Sequence, residues 1–209
     1  INPILMEEMS GQRVVPETGG GWTWTQLRQI NYFLANSYHC EDQEVLNHYN
    51  GLARFFRAYF YYEKVKRFGD VPWYEEVIGS ADTELLHKPR DSRKLVMDNV
   101  LKDLDFAIAN LRSTKDVYRI TKWTALALKS RIMLFEGTFR KYHKLGDWEA
   151  CLEESVKASQ ELIADGGYSL YSSYETLFTA TDATTVQKEF ILARDYNYAA
   201  GLTHGVQAY

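Results

Sequence analysis

Two tryptophans flank the end of a glycine run: Gly19-Gly20-Gly21 leads into Trp22, Thr23 and Trp24. A glycine-rich loop can offer a rigid flat ring to solvent. The face of a pyranose is lined with C–H bonds and stacks on such a ring, while flanking polar groups hold its hydroxyls. The same rings could instead cap a stack of helices, and spacing leaves both readings open. Catalytic chemistry is weaker everywhere. The glycines have no strand before them and no Lys-Ser or Lys-Thr after them, so they do not form a phosphate loop. His39, His48, His87, His143 and His204 make no HExxH or other two-ligand helical spacing. Ser37 and Ser130 lie in helical sequence without a GxSxG turn. The acidic pairs Glu7-Glu8, Glu75-Glu76 and Glu153-Glu154 are adjacent, and neighbours on a helix point about 100° apart, which suits solvation rather than glycosidase chemistry. Cys40 and Cys151 form no CxxC pair. No catalytic residue, metal or cofactor is expected.

Composition narrows the class further. With 24 Lys+Arg against 28 Asp+Glu the net charge is −4, opposite in sign to a nucleic-acid footprint. No apolar run approaches the roughly 18 residues of a membrane-spanning helix. A chain of 209 residues buries enough surface to need no disulfide or metal staple. Aromatics are abundant, with 15 Tyr, 10 Phe and 5 Trp, which suits dense helix packing and ring stacking alike.

Hydrophobic spacing predicts five helices that must carry the loops. The first covers about 24–38, with Leu27, Ile30 and Leu34 on one stripe and Thr23 as N-cap. The second covers about 46–68 and has two apolar stripes, Tyr49/Ala53/Phe56/Phe60 and Leu52/Phe55/Tyr59/Tyr62, both assigned to the core; Gly69 and Pro72 end it. The third, about 92–112, has the cleanest period (Val96, Val100, Leu104, Ala107, Leu111) and a cap at Asp91 or Ser92. The fourth, about 121–142, carries Ala125, Ala127, Ser130 and Gly137, small residues that admit a neighbour closely. The fifth, about 148–164, is capped by Asp147 and stopped by Gly166-Gly167. Gly146-Asp147-Trp148 with Cys151-Leu152 and Lys157-Ala158 is similar to the second half of a tetratricopeptide repeat, so the last four helices are expected as two irregular helix-turn-helix units. Residues 1–23 form a loop segment, 24–167 the helical scaffold, and 168–209 a further segment in which Phe190, Leu192, Arg194, Tyr196 and Tyr198 alternate as a strand or extended chain would. Beginning at Ile1 and ending without a closing element, the chain reads as a piece of a longer one, with any targeting signal upstream.

The run Arg54-Phe55-Phe56-Arg57-Ala58-Tyr59-Phe60-Tyr61-Tyr62, continuing to Phe68-Gly69-Asp70-Val71-Pro72, resembles the SusD/RagB family. Three further blocks resemble it in the same order: Asn31-Tyr32-Phe33-Leu34, Arg119 to Ala125 with Leu128 to Ile132, and Glu189 to Arg194. The resemblance implies an all-α fold of irregular tetratricopeptide-like helix pairs, with loop-rich N-terminal and C-terminal segments. It implies a non-enzymatic, outward-facing outer-membrane lipoprotein that takes an oligo- or polysaccharide, or a peptide in the RagB branch, and serves a TonB-dependent transporter barrel. Contact with the membrane would come through a lipid anchor outside this chain. Family ligands often meet the loop before the first helix, which points to Gln12, Arg13 and Trp22, with Tyr196 and Tyr198 from the tail. The alternative is a tetratricopeptide-type adaptor with a polar groove for a protein partner. Arg54, Arg57, Lys64, Lys66 and Arg67 form a basic run read as a solvated face complementing the helix dipole, and Arg54 and Arg57, placed early in their helix, call for carboxylate partners.

Overall fold

The computed structural model describes residues 9–12, 14 and 17–202, and over these residues the periodic stretches fold as helices. In chain order they are α1 (Thr25–Asn36), α2 (Gln43–Phe68), α3 (Thr83–Leu86), α4 (Arg93–Asn110), α5 (Lys122–Tyr142), α6 (Trp148–Asp165) and α7 (Tyr174–Thr179). The single turn of α3 and the short α7 carry too few residues to show a period. α2 packs along α4 and α5 along α6; α4 joins the pairs by packing on α5, and α1 lies on α2. The fold is all-α, with two tetratricopeptide-like pairs, as the spacing predicts.

The helix ends follow from local chemistry. The Asp42 carboxylate accepts the N–H groups of Glu44 and Val45 to start α2, Ser92 accepts that of Leu95 to start α4, and Thr121 with Thr124 forms a capping box for α5. Two expected caps differ. The residue before α1 is Trp24, whose side chain makes no cap bond, and Thr23 lies outside the helix. Asp147 does precede α6, in a left-handed conformation, but its carboxylate turns to Lys94 at 2.9 Å and ties α6 to α4. The alternating stretch around 190–198 also departs from a ladder: no strand occurs among the described residues. That segment is irregular, with the Ala193 N–H donating to the Val117 carbonyl at 2.7 Å, and it ends in a 3-10 turn at Tyr198–Ala200.

Met97, Leu104, Ile132 and Met133 are sealed in the core between the pairs, each contributing roughly 1.5–3 kcal/mol. Gly137 on α5 shows why small residues sit there: a Cβ would meet Leu152 of α6 at 2.7 Å. The carboxylate called for by α2 is Asp103 on α4. Arg57 clamps it with two bonds of 2.6 and 2.7 Å, and Arg54 approaches to 3.8 Å. A second buried carboxylate, Glu136, lies between Arg93 and Arg140 at 2.7 and 2.8 Å. The assignment of both α2 stripes to the core is corrected. Phe55, Tyr61 and Tyr62 are buried, but Tyr49, Phe56 and Tyr59 are 44–48% exposed and, with Ile30 and Phe33 of α1, line an open apolar groove of about 620 Å³. α2 is therefore wider in its apolar arc than its described neighbours cover. The basic run is likewise not all solvated: Lys64 is buried.

Candidate functional site

The cleft that best combines ring surface with polar groups lies between Trp22 with the first turns of α1 and the chain from Pro72 to Arg90. It has a volume of about 610 Å³ and is edged by Trp22, Trp24, Arg28, Tyr74, Glu76 and Arg90, among others. The wall that begins at Trp22 is led in by the loop Gly19-Gly20-Gly21, all three residues at positive φ (79°, 61°, 84°) that side chains would strain. The Trp22 N–H closes the turn on the Gly19 carbonyl at 3.1 Å. Lys64 of α2 donates to the Gly21 carbonyl, and its ammonium sits over the Phe60 ring at 4.9 Å and near Trp24 at 5.8 Å. Burial, and then the neighbouring Arg67, pull the Lys64 pKa below its ordinary value.

This clamp delivers Trp22 to the rim. Its ring meets Trp24 edge-on at 5.0 Å and Phe68 at 4.8 Å, yet stays 39% exposed. Trp24 is half-buried and packs on Phe60, Tyr61 and Tyr74, so it is the ring that seals the stack. Of the two tryptophans, Trp24 is thus the one that caps the stack, while Trp22 keeps part of its ring at the surface.

The opposite wall has no periodicity and is held through its main chain. Asn31, buried on α1, donates from Nδ2 to the carbonyls of Tyr74 at 3.0 Å and Glu76 at 3.1 Å. Its Oδ1 lies 3.5 Å from Arg57, the partner of Asp103. Tyr61, also buried, donates to the carbonyls of Pro72 and Tyr74, and its hydroxyl accepts the Tyr74 N–H at 2.6 Å. Burial pushes its phenol far above the ordinary range, so it stays protonated. The Trp73 N–H is taken by Asp91 at 2.7 Å. Arg28 donates to the Ile78 carbonyl at 2.5 Å, and the Arg90 guanidinium lies 5.0 Å from the centre of the Trp22 ring.

Of the residues singled out from sequence, Trp22 lines this cleft. Gln12 is exposed and is not among the lining residues. Tyr196 is 45% exposed beside Arg194, in the segment that bonds to Val117, and is not among them either. Arg13 and the side chain of Tyr198 lie outside the described residues. Sequence reasoning passed over Asn31, Arg28 and Arg90. Asn31 carried a signal: it falls four residues after Leu27 on the buried stripe, where an amide must find partners. A separate polar trough of about 570 Å³ runs between α4, α5 and α6, with Lys129 bonded to Asp105 and Glu154, Lys122 to Glu161 and Lys157 to Glu154. Among the described residues no cluster of His, Cys, Asp or Glu is arranged to hold a metal, and no helix is long and apolar enough to cross a membrane.

Comparison with known proteins agrees with this architecture. A SusD-like protein of Formosa agariphila is 27% identical over 129 residues, covering 60% of this chain and 22% of its own. The crystal structure of a SusD-like protein from Bacteroides fragilis superposes with a TM-score of 0.57 at 29% identity, over 69% of this chain and 26% of that one. A laminarin-binding SusD-like protein shares the fold with a TM-score of 0.62 at 20% identity, over 75% of this chain and 33% of its own. The chain therefore spans between about a fifth and a third of the length of these relatives. The family profile described as SusD-like, starch-binding and associating with the outer membrane, matches residues 23–134, more than half of the 209. This chain belongs to the SusD-like family.

Proposed function

We propose that the cleft edged by Trp22 binds an oligo- or polysaccharide, and that the protein is a non-enzymatic, outward-facing nutrient-binding subunit at the outer membrane, anchored by lipid and working with a TonB-dependent transporter barrel. The observation that carries this reading is the Trp22 ring. It is 39% exposed at the mouth of a cleft of about 610 Å³, on a loop fixed from beneath by Lys64. A preset ring loses little freedom when a sugar face settles on it, and the donors around it can meet hydroxyls. Membership of a starch-binding family and a laminarin-binding protein of the same fold support the ligand class. The adaptor alternative looks to the trough between α4, α5 and α6, but its lysines and acids are engaged with one another.

Trp22→Ala tests the reading in titration calorimetry against neutral and anionic oligosaccharides, read on whichever the wild type binds most tightly. Affinity is expected to fall about tenfold or more. The loss of stability is expected to stay below the roughly 3–5 kcal/mol of a fully buried tryptophan. Unchanged affinity, or collapse of the fold, would remove Trp22 from the site.

A further inference from the structure

We infer that the ligand of this cleft is an anionic saccharide, one carrying carboxylate or sulfate groups, and that Arg28 and Arg90 read its charge. The inference rests on the saccharide reading above. The charged residues lining the cleft are Arg28, Lys88 and Arg90 against the single carboxylate of Glu76, a local excess of positive charge in a chain whose net charge is −4. Lys88 is engaged, bonded to Asp91 at 2.7 Å and to the Trp73 carbonyl at 3.1 Å. The two arginines differ. Among the described residues each guanidinium makes a single hydrogen bond, to a main-chain carbonyl: Arg28 to Ile78, and Arg90 to Asp70 at 3.4 Å. Neither pairs with a carboxylate among those residues, which leaves most of the five N–H donors of each guanidinium directed to solvent or ligand.

The trough between α4, α5 and α6 makes the contrast. There Lys122, Lys129 and Lys157 are each neutralised by an acid from a facing or adjacent turn, so that site carries cations without offering them. In the cleft the arginines are offered. Arg90 also lies over the Trp22 ring, 5.0 Å from its centre, so a saccharide that reaches this ring meets the guanidinium as well. Thr25, at the start of α1, lines the same cleft, and that first turn has neither an acidic residue nor a side-chain cap, so its free N–H groups add to the positive field. A guanidinium fork matches the two oxygens of a carboxylate or a sulfate ester, and such charge-assisted bonds are about twice as strong as neutral ones.

The test is calorimetric titration at about 150 mM salt, where diffuse surface attraction is screened beyond roughly 8 Å. The probes are oligogalacturonate and sulfated dextran, with neutral dextran and laminari-oligosaccharide beside them. At least one anionic probe is expected to bind about tenfold more tightly than the neutral ones, and the two anionic arms separate carboxylate from sulfate. Arg28→Gln and Arg90→Gln should each weaken that binding about tenfold or more, with Arg90→Lys intermediate because it keeps the charge without the fork. Neutral probes binding as tightly, with both arginine variants like wild type, would overturn the charge inference while leaving the saccharide reading to Trp22→Ala. Anionic binding untouched by either substitution would overturn it too, since the charge would be read elsewhere. Failure of every saccharide to bind would overturn both.

Discussion

Replacing Asp103 with Asn is expected to weaken the scaffold behind the cleft severely while changing almost no volume. The Asp103 carboxylate accepts bonds of 2.6 and 2.7 Å from Arg57, and the Arg57 and Asp103 side chains are 6% and 3% exposed. The substitution leaves a guanidinium out of water with no counter-charge and turns one acceptor into an N–H donor facing another donor. Breaking a buried pair from one side costs about 3–5 kcal/mol. At about 2–4 °C per kcal/mol for a domain of this size, the melting midpoint should fall by about 6–20 °C. Urea unfolding followed by far-ultraviolet circular dichroism gives the free energy directly, with Lys94→Gln as the exposed-pair comparison expected to lose under about 1 kcal/mol. The double change Arg57→Met with Asp103→Leu, which removes both charges and fills the space, should recover most of the loss. An Asp103→Asn penalty below about 1 kcal/mol, or a double variant worse than the single, would refute the reasoning.

Two further outcomes are expected. Gly137→Ala should destabilise by about 1 kcal/mol, the overpacking against Leu152 outweighing what alanine gains in helix propensity; in a Leu152→Ala background the same change should cost less, and thermal melts of the four proteins decide it. The Glu154 carboxyl is held below its ordinary 4.5 by hydrogen bonds from Lys129 and then Lys157. A lowered carboxyl pKa contributes stability above the unfolded value and loses it as pH falls through the folded one, so the penalty of Glu154→Gln should be largest near neutral pH and shrink as the pH is brought well below 4.5. An equal penalty at both pH values would contradict this.

The long helices were legible because each repeats its apolar positions over several turns, as Val96 to Leu111 do, and because α2 placed two arginines where only a carboxylate could hold them. The half-open face of α2 was not legible: a stripe such as Tyr49/Ala53/Phe56/Phe60 says that a helix is apolar there, not whether a described neighbour covers it. Nor was the cleft. Its far wall, 72–90, has no period, and its course is set by Asn31 and Tyr61 reaching main-chain atoms across 43 and 13 residues of sequence. Trp22 could be singled out because a run of three glycines beside two tryptophans is conspicuous in the sequence. Arg28 and Arg90 could not, since an exposed arginine acquires meaning only from what stands beside it. Tyr196 alternated with its neighbours like a strand residue, but the segment is irregular and bonds to Val117 instead.

Trp73 and Tyr74 are held by their rings as well as their main chain, but at Glu76 Asn31 grips only a carbonyl oxygen common to every amino acid, so the course of the chain there is largely decoupled from the exposed side chain it displays. Position 76 can therefore drift during evolution, trading one functional group for another, while the rail that carries it stays in place. Variation would be absorbed at the rim, and the gripping residue behind it would be the one selection cannot relax.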